Sequence, residues 1–371
     1  MDCLETGIFA RTTLKPLKSI FNLEREKQVV KVLIESGEWF TVSGLRRTGK
    51  TTLVRSVANT LDVYPIYINL WKKGTELVST DFILEEIVKE IQEISKRSKL
   101  KKILKHIEKI SFLGVSVKLR LENQIRLTRA LEELCKDKRV VLIFDEAEEM
   151  RHDTTIFKYL ASLHDELSPR LSAIFLGSVV SMKSLLSSST LAPLYGRLGE
   201  EIVLKPFNEI DSRKLLRKGF EECNTEVDEE LIVEASLRLG GFAGWLTNFG
   251  RLTVLEQRKG VKHPDLNKII ANLEEDASKL IYEEIARILR GKKMIGSYLK
   301  VIKFAAERGF ITVSDASKIL RKRASTAIVY LKQLVDYGIM TKSNSDYIIL
   351  DPLVRRSALR PNFEKAVKIR L

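Results

Sequence analysis

The chain has 371 residues, 44% hydrophobic and 30% charged, which suits two or three globular domains with sizeable cores. No apolar run approaches the roughly 20 residues of a spanning helix, and the opening "MDCLETGIFARTTLKPLKSIFN" lacks the continuous apolar stretch of a secretion signal. The formal net charge of +14 is uneven: residues 292–371 hold 17 Lys+Arg against 6 Asp+Glu, a net of +11 that bears on the partners of the C-terminal end.

Three cysteines (Cys3, Cys135, Cys223) are odd in number and far apart. That spacing predicts neither a disulfide framework nor a zinc cluster and fits a reducing cytoplasm; the lack of a spanning run predicts no membrane partner.

In chain order, "EWFTVSG" (38–44) reads as a short buried strand and "KTTLVRSVANTL" (50–61) as a helix. "YPIYINL" (64–70) alternates like a half-buried strand, and 80–98 has an apolar stripe at helical spacing. The basic stretch 96–125, with "KRSKLKKILKHIEKI" followed by "SFLGVSVKLRL", reads as an inserted helix and hairpin with a solvated face; a membrane or nucleic-acid surface is the alternative. "RVVLIFDE" (139–146) and "LSAIFLGS" (171–178) are continuous apolar runs, typical of parallel strands covered on both faces, with a helix at 154–167 between them. "EEIVLKPF" (200–207) is a fifth strand. This alternation predicts an α/β fold with a parallel sheet. The expected domains are a core over 1–207, a helical domain over 208–290 and a third domain over 291–371.

Between the first strand and helix lies "GLRRTGKT", with the spacing G-x-x-x-x-G-K-[ST]. Gly44 and Gly49 permit a tight loop whose N–H groups, with the helix N-terminus, face the phosphates of ATP or ADP. The candidate ligands are Gly44, Leu45, Arg46, Arg47, Thr48, Gly49, Lys50, Thr51 and Thr52. Lys50 reaches the β/γ phosphates and Thr51 a Mg²⁺ ion. Asp145 ends the third strand, where an acidic side chain holds the Mg²⁺ shell. The adjacent Glu146 is placed to polarise the attacking water, whereas Glu148 and Glu149 read as a solvated helix face. Ser178 is either a γ-phosphate sensor or a strand cap. Arg197 is either an arginine finger or half of a surface ion pair.

Seven pieces lie in a fixed order: "FNLEREKQV" (21–29), "GLRRTGKTTL", "LIFDEAEEM", "IFLGS", "PLYGRLGEEIVLKPF", "LLRKGFEE" and "LGGFAGWLTNFG". Together they resemble the archaeal ATPase family of the STAND class of P-loop NTPases, relatives of AAA+ proteins. The resemblance covers about residues 20–255. It implies an ASCE-type sheet, a helical lid, a winged helix and a nucleotide-driven switch. It sets Arg25 and Glu26 near the adenine, with a plain helix start as the other reading. The family's lid reads Gly-Gly-x-Pro-Gly; here Ala243 stands where the proline would fall, which puts base contact there in doubt. Arg46 and Arg47 match the family's basic habit, to hold the anion or dock a neighbouring domain.

Residues 295–350 read as a winged helix from periodicity: a helix ending at Gly309, a second capped by Ser314, a third ending at Gly338, and a hairpin around Asn344. The third helix buries Ala327, Ile328, Leu331, Leu334 and Val335. It offers Ser325, Thr326, Tyr330, Lys332 and Gln333 to a groove. Arg321, Lys322 and Arg323 precede it, Lys342 lies in the hairpin, and the tail adds Arg355, Arg356, Arg360, Lys365, Lys368 and Arg370. Three functions fit: an ATP-dependent switch with a DNA-contacting winged helix; a signalling scaffold whose winged helix binds protein, with nucleotide-dependent self-association open; or a replication-initiator-like ATPase.

Overall fold

The computed structural model describes residues 2–10, 21–73, 76–97, 103, 121–153, 155–178, 182 and 192–371. Most of the basic insertion expected at 96–125 therefore lies outside the described residues. By its contacts the chain groups into two units, one of Leu23–Gly44 and Lys50–Leu204, the other of Met1–Asn22, Leu45–Gly49 and Lys205–Leu371.

The first unit is a five-stranded sheet in the order β2-β3-β4-β1-β5, where β1 is Phe40–Gly44, β2 Val63–Asn69, β3 Arg139–Asp145, β4 Leu171–Gly177 and β5 Glu201–Leu204. Every pairing is parallel. Helices α1 (Glu24–Ser36), α2 (Lys50–Thr60), α3 (Thr80–Arg97), α4 (Leu121–Asp137) and α5 (Thr155–Leu167) surround it. The apolar runs behave as expected: β4 is buried along its whole length, and β3 is buried after Arg139. β2, at the sheet edge, alternates buried and half-buried residues, which accommodates Pro65.

Register then decides what meets at the sheet's carboxyl end. Asp145 aligns with Leu176 and Asn69, and Ser43 aligns with Gly177. Gly44, Asp145 and Ser178 thus end three neighbouring strands on one edge, where ligands of open parallel sheets bind.

The second unit is helical: α6 (Glu209–Glu222), α7 (Glu229–Leu239), α8 (Ala243–Arg258), α9 (Leu266–Leu289), α10 (Ile295–Arg308), α11 (Val313–Leu320), α12 (Ala324–Asp336), α13 (Pro352–Leu359) and α14 (Phe363–Lys368), with hairpin strands β6 (Thr341–Ser343) and β7 (Asp346–Ile348). Ile311 adds a bridge to Tyr347, so the segment between α10 and α11 pairs with the hairpin that follows α12. The helix cap differs from expectation. Thr312, not Ser314, caps α11, because its hydroxyl and the Asp315 carboxylate form a reciprocal capping box. The tail is also less free than its charge suggests. Arg355 Nε donates to Ala306 O (2.9 Å), Arg356 Nη2 to Arg238 O (2.7 Å), and Arg370 Nη1 to Ala366 O (2.7 Å).

The expectation of unpaired cysteines is overturned. Cys3 and Cys223 form a disulfide across 220 residues of sequence, leaving Cys135 free and buried. The pairing was hidden because the N-terminal segment is part of the helical core. Phe9 is fully buried there, its ring edge-on to Phe220 at 5.0 Å. A Cβ on Gly219 or Gly250 would fall 2.3 or 2.2 Å from that ring, so both helices approach it through glycine. Phe9→Ala is expected to lower stability by about 3–5 kcal/mol, read as a shifted denaturation midpoint with unchanged slope.

Candidate functional site

The phosphate-loop motif spans both groupings: Gly44 and Lys50–Thr52 belong to the sheet unit, and Leu45–Gly49 to the helical unit. Gly44 and Gly49 have φ of 151° and 98°, a region open to glycine at little cost. Arg47, between them, also has a positive φ of 66°. Left-handed residues in a short loop turn successive N–H groups toward one side, forming a concavity suited to anions. Thr48 Oγ1 donates to Leu45 O at 2.8 Å and braces the turn from inside.

In the sheet unit, Lys50 opens α2, is 8% exposed, and donates from Nζ to Gly44 O at 2.7 Å. Thr51 Oγ1 donates to Asp145 Oδ2 at 2.9 Å. The two motifs that sequence spacing held 94 residues apart are therefore in contact. Asp145 is 7% exposed, and burial raises its pKa; hydrogen bonds from Tyr67 and Thr51 and the charge of Lys50 oppose that rise. Glu146 follows in a left-handed conformation (φ 58°, ψ 47°), half-buried, its N–H 3.2 Å from Asp145 Oδ1. A non-glycine residue persists there only when its surroundings impose it, and such strain gathers at active sites.

One site residue escaped sequence reasoning. Tyr67 of β2 donates from its hydroxyl to Asp145 Oδ2, and the Arg55 guanidinium lies 4.2 Å over its ring. Burial, then the neighbouring Asp145 charge, push its pKa upward, so it acts as a donor at any ordinary pH. The available signal was register: Tyr67 lies two residues before the end of a strand paired with the Asp145 strand.

Glu148 and Glu149 are corrected. They are 5% and 8% exposed, not a solvated helix face, because residues 147–152 form a tight 3₁₀ turn rather than an α-helix. A Cβ on Gly177 would sit 2.6 Å from Glu148 Oε2, so that carboxylate presses on the end of β4. Ser178, just past β4, is 2% exposed. Thr52 is half-buried on α2, and Arg25 is exposed in the first turn of α1. Ala243 is the first residue of α8, and Gly241 before it approaches Phe207 so closely that a Cβ would fall 1.9 Å from its carbonyl oxygen. Arg197 grips Asp165 with Nε and Nη2 at 2.8 and 2.6 Å and holds that carboxyl down at about 2. In the helical unit, Arg46 Nη1 donates to Tyr337 O at 3.1 Å, and Arg47 Nη2 pairs with Glu284 at 2.5 Å.

Of the residues expected to meet a groove, Arg321, Arg323, Ser325, Lys332 and Lys342 are exposed, while Lys322 and Thr326 are half-buried. Tyr330 and Gln333 are turned inward instead. The Tyr330 ring lies 4.7 Å from that of Tyr298, whose hydroxyl donates to Gln333.

Residues 21–249 match the model of an ATPase domain predominantly from Archaea. The chain belongs to that family. No match is found among the curated proteins. Among solved structures, this archaeal-type ATPase is similar to a Walker-type ATPase of Pyrococcus abyssi, with 25% identity, 95% of this chain and 99% of that one covered, and a TM-score of 0.75. It shares its fold with Cdc6p of Pyrobaculum aerophilum (18% identity, 100% and 99% covered, TM-score 0.55). The same holds for ORC1 of Aeropyrum pernix, solved in complex with DNA (14% identity, 98% and 97% covered, TM-score 0.54).

The bidentate pair with Asp165 makes a prediction about turnover. Arg197→Ala is expected to leave ATP hydrolysis within about twofold of wild type; a loss of about 10³-fold would select the arginine-finger reading instead. A steady-state phosphate-release assay at saturating ATP distinguishes the two.

Proposed function

We propose that this ATPase is a nucleotide-driven switch of the STAND type, slow in turnover, whose C-terminal winged helix contacts DNA. The observation that carries the nucleotide half is the hydrogen bond from Thr51 Oγ1 to Asp145 Oδ2. It joins a helix-capped phosphate loop to an acidic strand end, which a fortuitous glycine-rich turn would have no reason to do.

The residues fit Mg²⁺ as the nucleotide's companion. No cluster of three or more His, Cys, Asp or Glu suited to a metal exists among the described residues. A site made of one hydroxyl and one carboxylate oxygen, completed by water and phosphate oxygens, is how proteins usually hold this ion. Thr51 and Asp145 would hold it, and the ion would neutralise charge on the phosphates. Tyr67 donates to Asp145 Oδ2 and fixes that carboxylate in place. Lys50 supplies positive charge to the phosphates, and the loop N–H groups bind them. Glu146, fixed by its left-handed backbone, takes the proton of the attacking water.

Lys50→Ala is expected to abolish ATP binding in a calorimetric titration. Glu146→Gln is expected to bind ATP with near-wild-type affinity and to lose turnover by about 10²-fold or more, the usual worth of a general base. Wild-type turnover in Glu146→Gln would remove Glu146 from the mechanism.

The DNA half rests on the exposed cations Arg321, Arg323, Lys332 and Lys342 and on the net charge of +11 over residues 292–371. The DNA complex formed by ORC1 of Aeropyrum pernix adds support at the level of shared fold. Contacts from such side chains go mainly to phosphates and tolerate sequence. The observation favouring a protein-binding scaffold is the inward turn of Tyr330 and Gln333, which leaves α12 a narrower reading surface. The initiator-like reading draws on the fold shared with Cdc6p. Neutralising about four phosphates gives a slope near −3.6 in log affinity against log salt, from the −0.9 expected per phosphate. No duplex binding at low salt, with or without ATP, excludes the DNA reading, and strong preference for one origin-like sequence selects the initiator.

A further inference from the structure

The phosphate loop carries two arginines, and both are held by side chains and backbone of the helical unit to which Leu45–Gly49 belongs. The Arg47 guanidinium pairs with Glu284 of α9 at 2.5 Å and with Asp351 at 3.6 Å, and lies 4.1 Å over the ring of Trp245 on α8. The backbone of the same residue is held as well, because Gly244 N–H donates to Arg47 O at 3.0 Å. Arg46 reaches Tyr337 O at the end of α12. Four separate elements therefore converge on two adjacent loop residues.

The cluster is built rather than incidental. Side-chain exposure is 13% for Arg47, 17% for Glu284 and 11% for Asp351, far drier than a surface ion pair. Asp351 also accepts from Trp245 Nε1 at 3.0 Å and from the N–H groups of Leu353 and Val354 at 2.9 and 3.3 Å, capping α13. Buried charges of this kind are costly to separate, since removing one strands the others without water. Meanwhile Arg47 holds a positive φ that a β-carbon residue adopts only when compelled. The contacts supply that compulsion.

We propose that Glu284 and Asp351 are positioning residues for the phosphate loop. By gripping Arg47 they hold residues 46–49 in the N–H-inward conformation that binds phosphate, so Arg47 serves the loop's shape and not the anion. The proposal rests on the nucleotide-site reading above. It has a reciprocal consequence. If the carboxylates favour phosphate binding, bound phosphate favours the gripped arrangement of α9 and the segment around Asp351 by the same factor.

The experiment uses the full chain, with ATP and ADP titrated calorimetrically and amide hydrogen exchange followed over residues 281–289 and 346–354. In wild type, saturating nucleotide is expected to slow exchange in both segments. Glu284→Gln is expected to weaken binding of both nucleotides about tenfold, within the range of ordinary allosteric coupling, and to abolish the protection. Arg47→Gly, which keeps the left-handed backbone accessible without the side chain, is expected to bind more tightly than Glu284→Gln yet show no protection. Asp351 carries a helix cap, so Asp351→Asn tests the idea only if its circular dichroism matches wild type; Glu284, which caps nothing, is the decisive variant. Wild-type affinity and wild-type protection in folded Glu284→Gln overturn the proposal while leaving the nucleotide site intact. Failure of the wild type itself to bind nucleotide would instead defeat the underlying reading.

Discussion

The Asp145 carboxylate, 7% exposed at the end of β3, is the constraint around which the sheet unit is arranged. A buried carboxylate needs donors, and here they come from two other elements: the Thr51 hydroxyl at the start of α2 and the Tyr67 hydroxyl on β2. Those bonds fix α2 and β2 against β3 to within a hydrogen-bond length. β3 and β1 flank β4, so Asp145 and Gly44 end one strand apart, with Ser178 between them. The site is thus a property of the sheet's carboxyl edge and not of any one segment.

Arginine 47 and arginine 197 show how environment assigns roles to one residue type. Arg197 pairs with an exposed Asp165, whose side chain is 56% exposed. Water screens that pair, and its contribution to stability is small. Arg47 meets two carboxylates and an indole face with 13% of its side chain exposed. There the same charge is weakly screened, and its geometry matters. In sequence Arg47 is one basic residue of the loop motif and Arg197 another before the fifth strand, and neither segment shows which partner it meets.

Much of the architecture was legible. The continuous apolar runs of β3 and β4, the alternation of β2, the glycine spacing of the loop and the Asn344 turn are local patterns, and each appears within a few residues of its expected place. What failed was local competition or long range. Ser314 and Thr312 are both chemically able to cap α11, and only the reach of Asp315 back to Thr312 selects one. Glu148 looked solvated because an α-helical period was assumed where the chain makes a 3₁₀ turn. Tyr330 and Gln333 fell on the outward face of an isolated helix, but α10 brings Tyr298 against them.

The sequence by itself determined the class of fold, the phosphate loop and its acidic counterpart, because periodicity and motif spacing act over a dozen residues or fewer. Only the tertiary structure decided which donors hold Asp145, that Cys3 meets Cys223, and that Glu284 and Asp351 take charge of Arg47. Those partners lie 78, 94, 220, 237 and 304 residues apart. Nothing local encodes such pairs. They exist because burial removes water from charged and polar groups and makes each of them find a partner wherever the chain has folded to provide one.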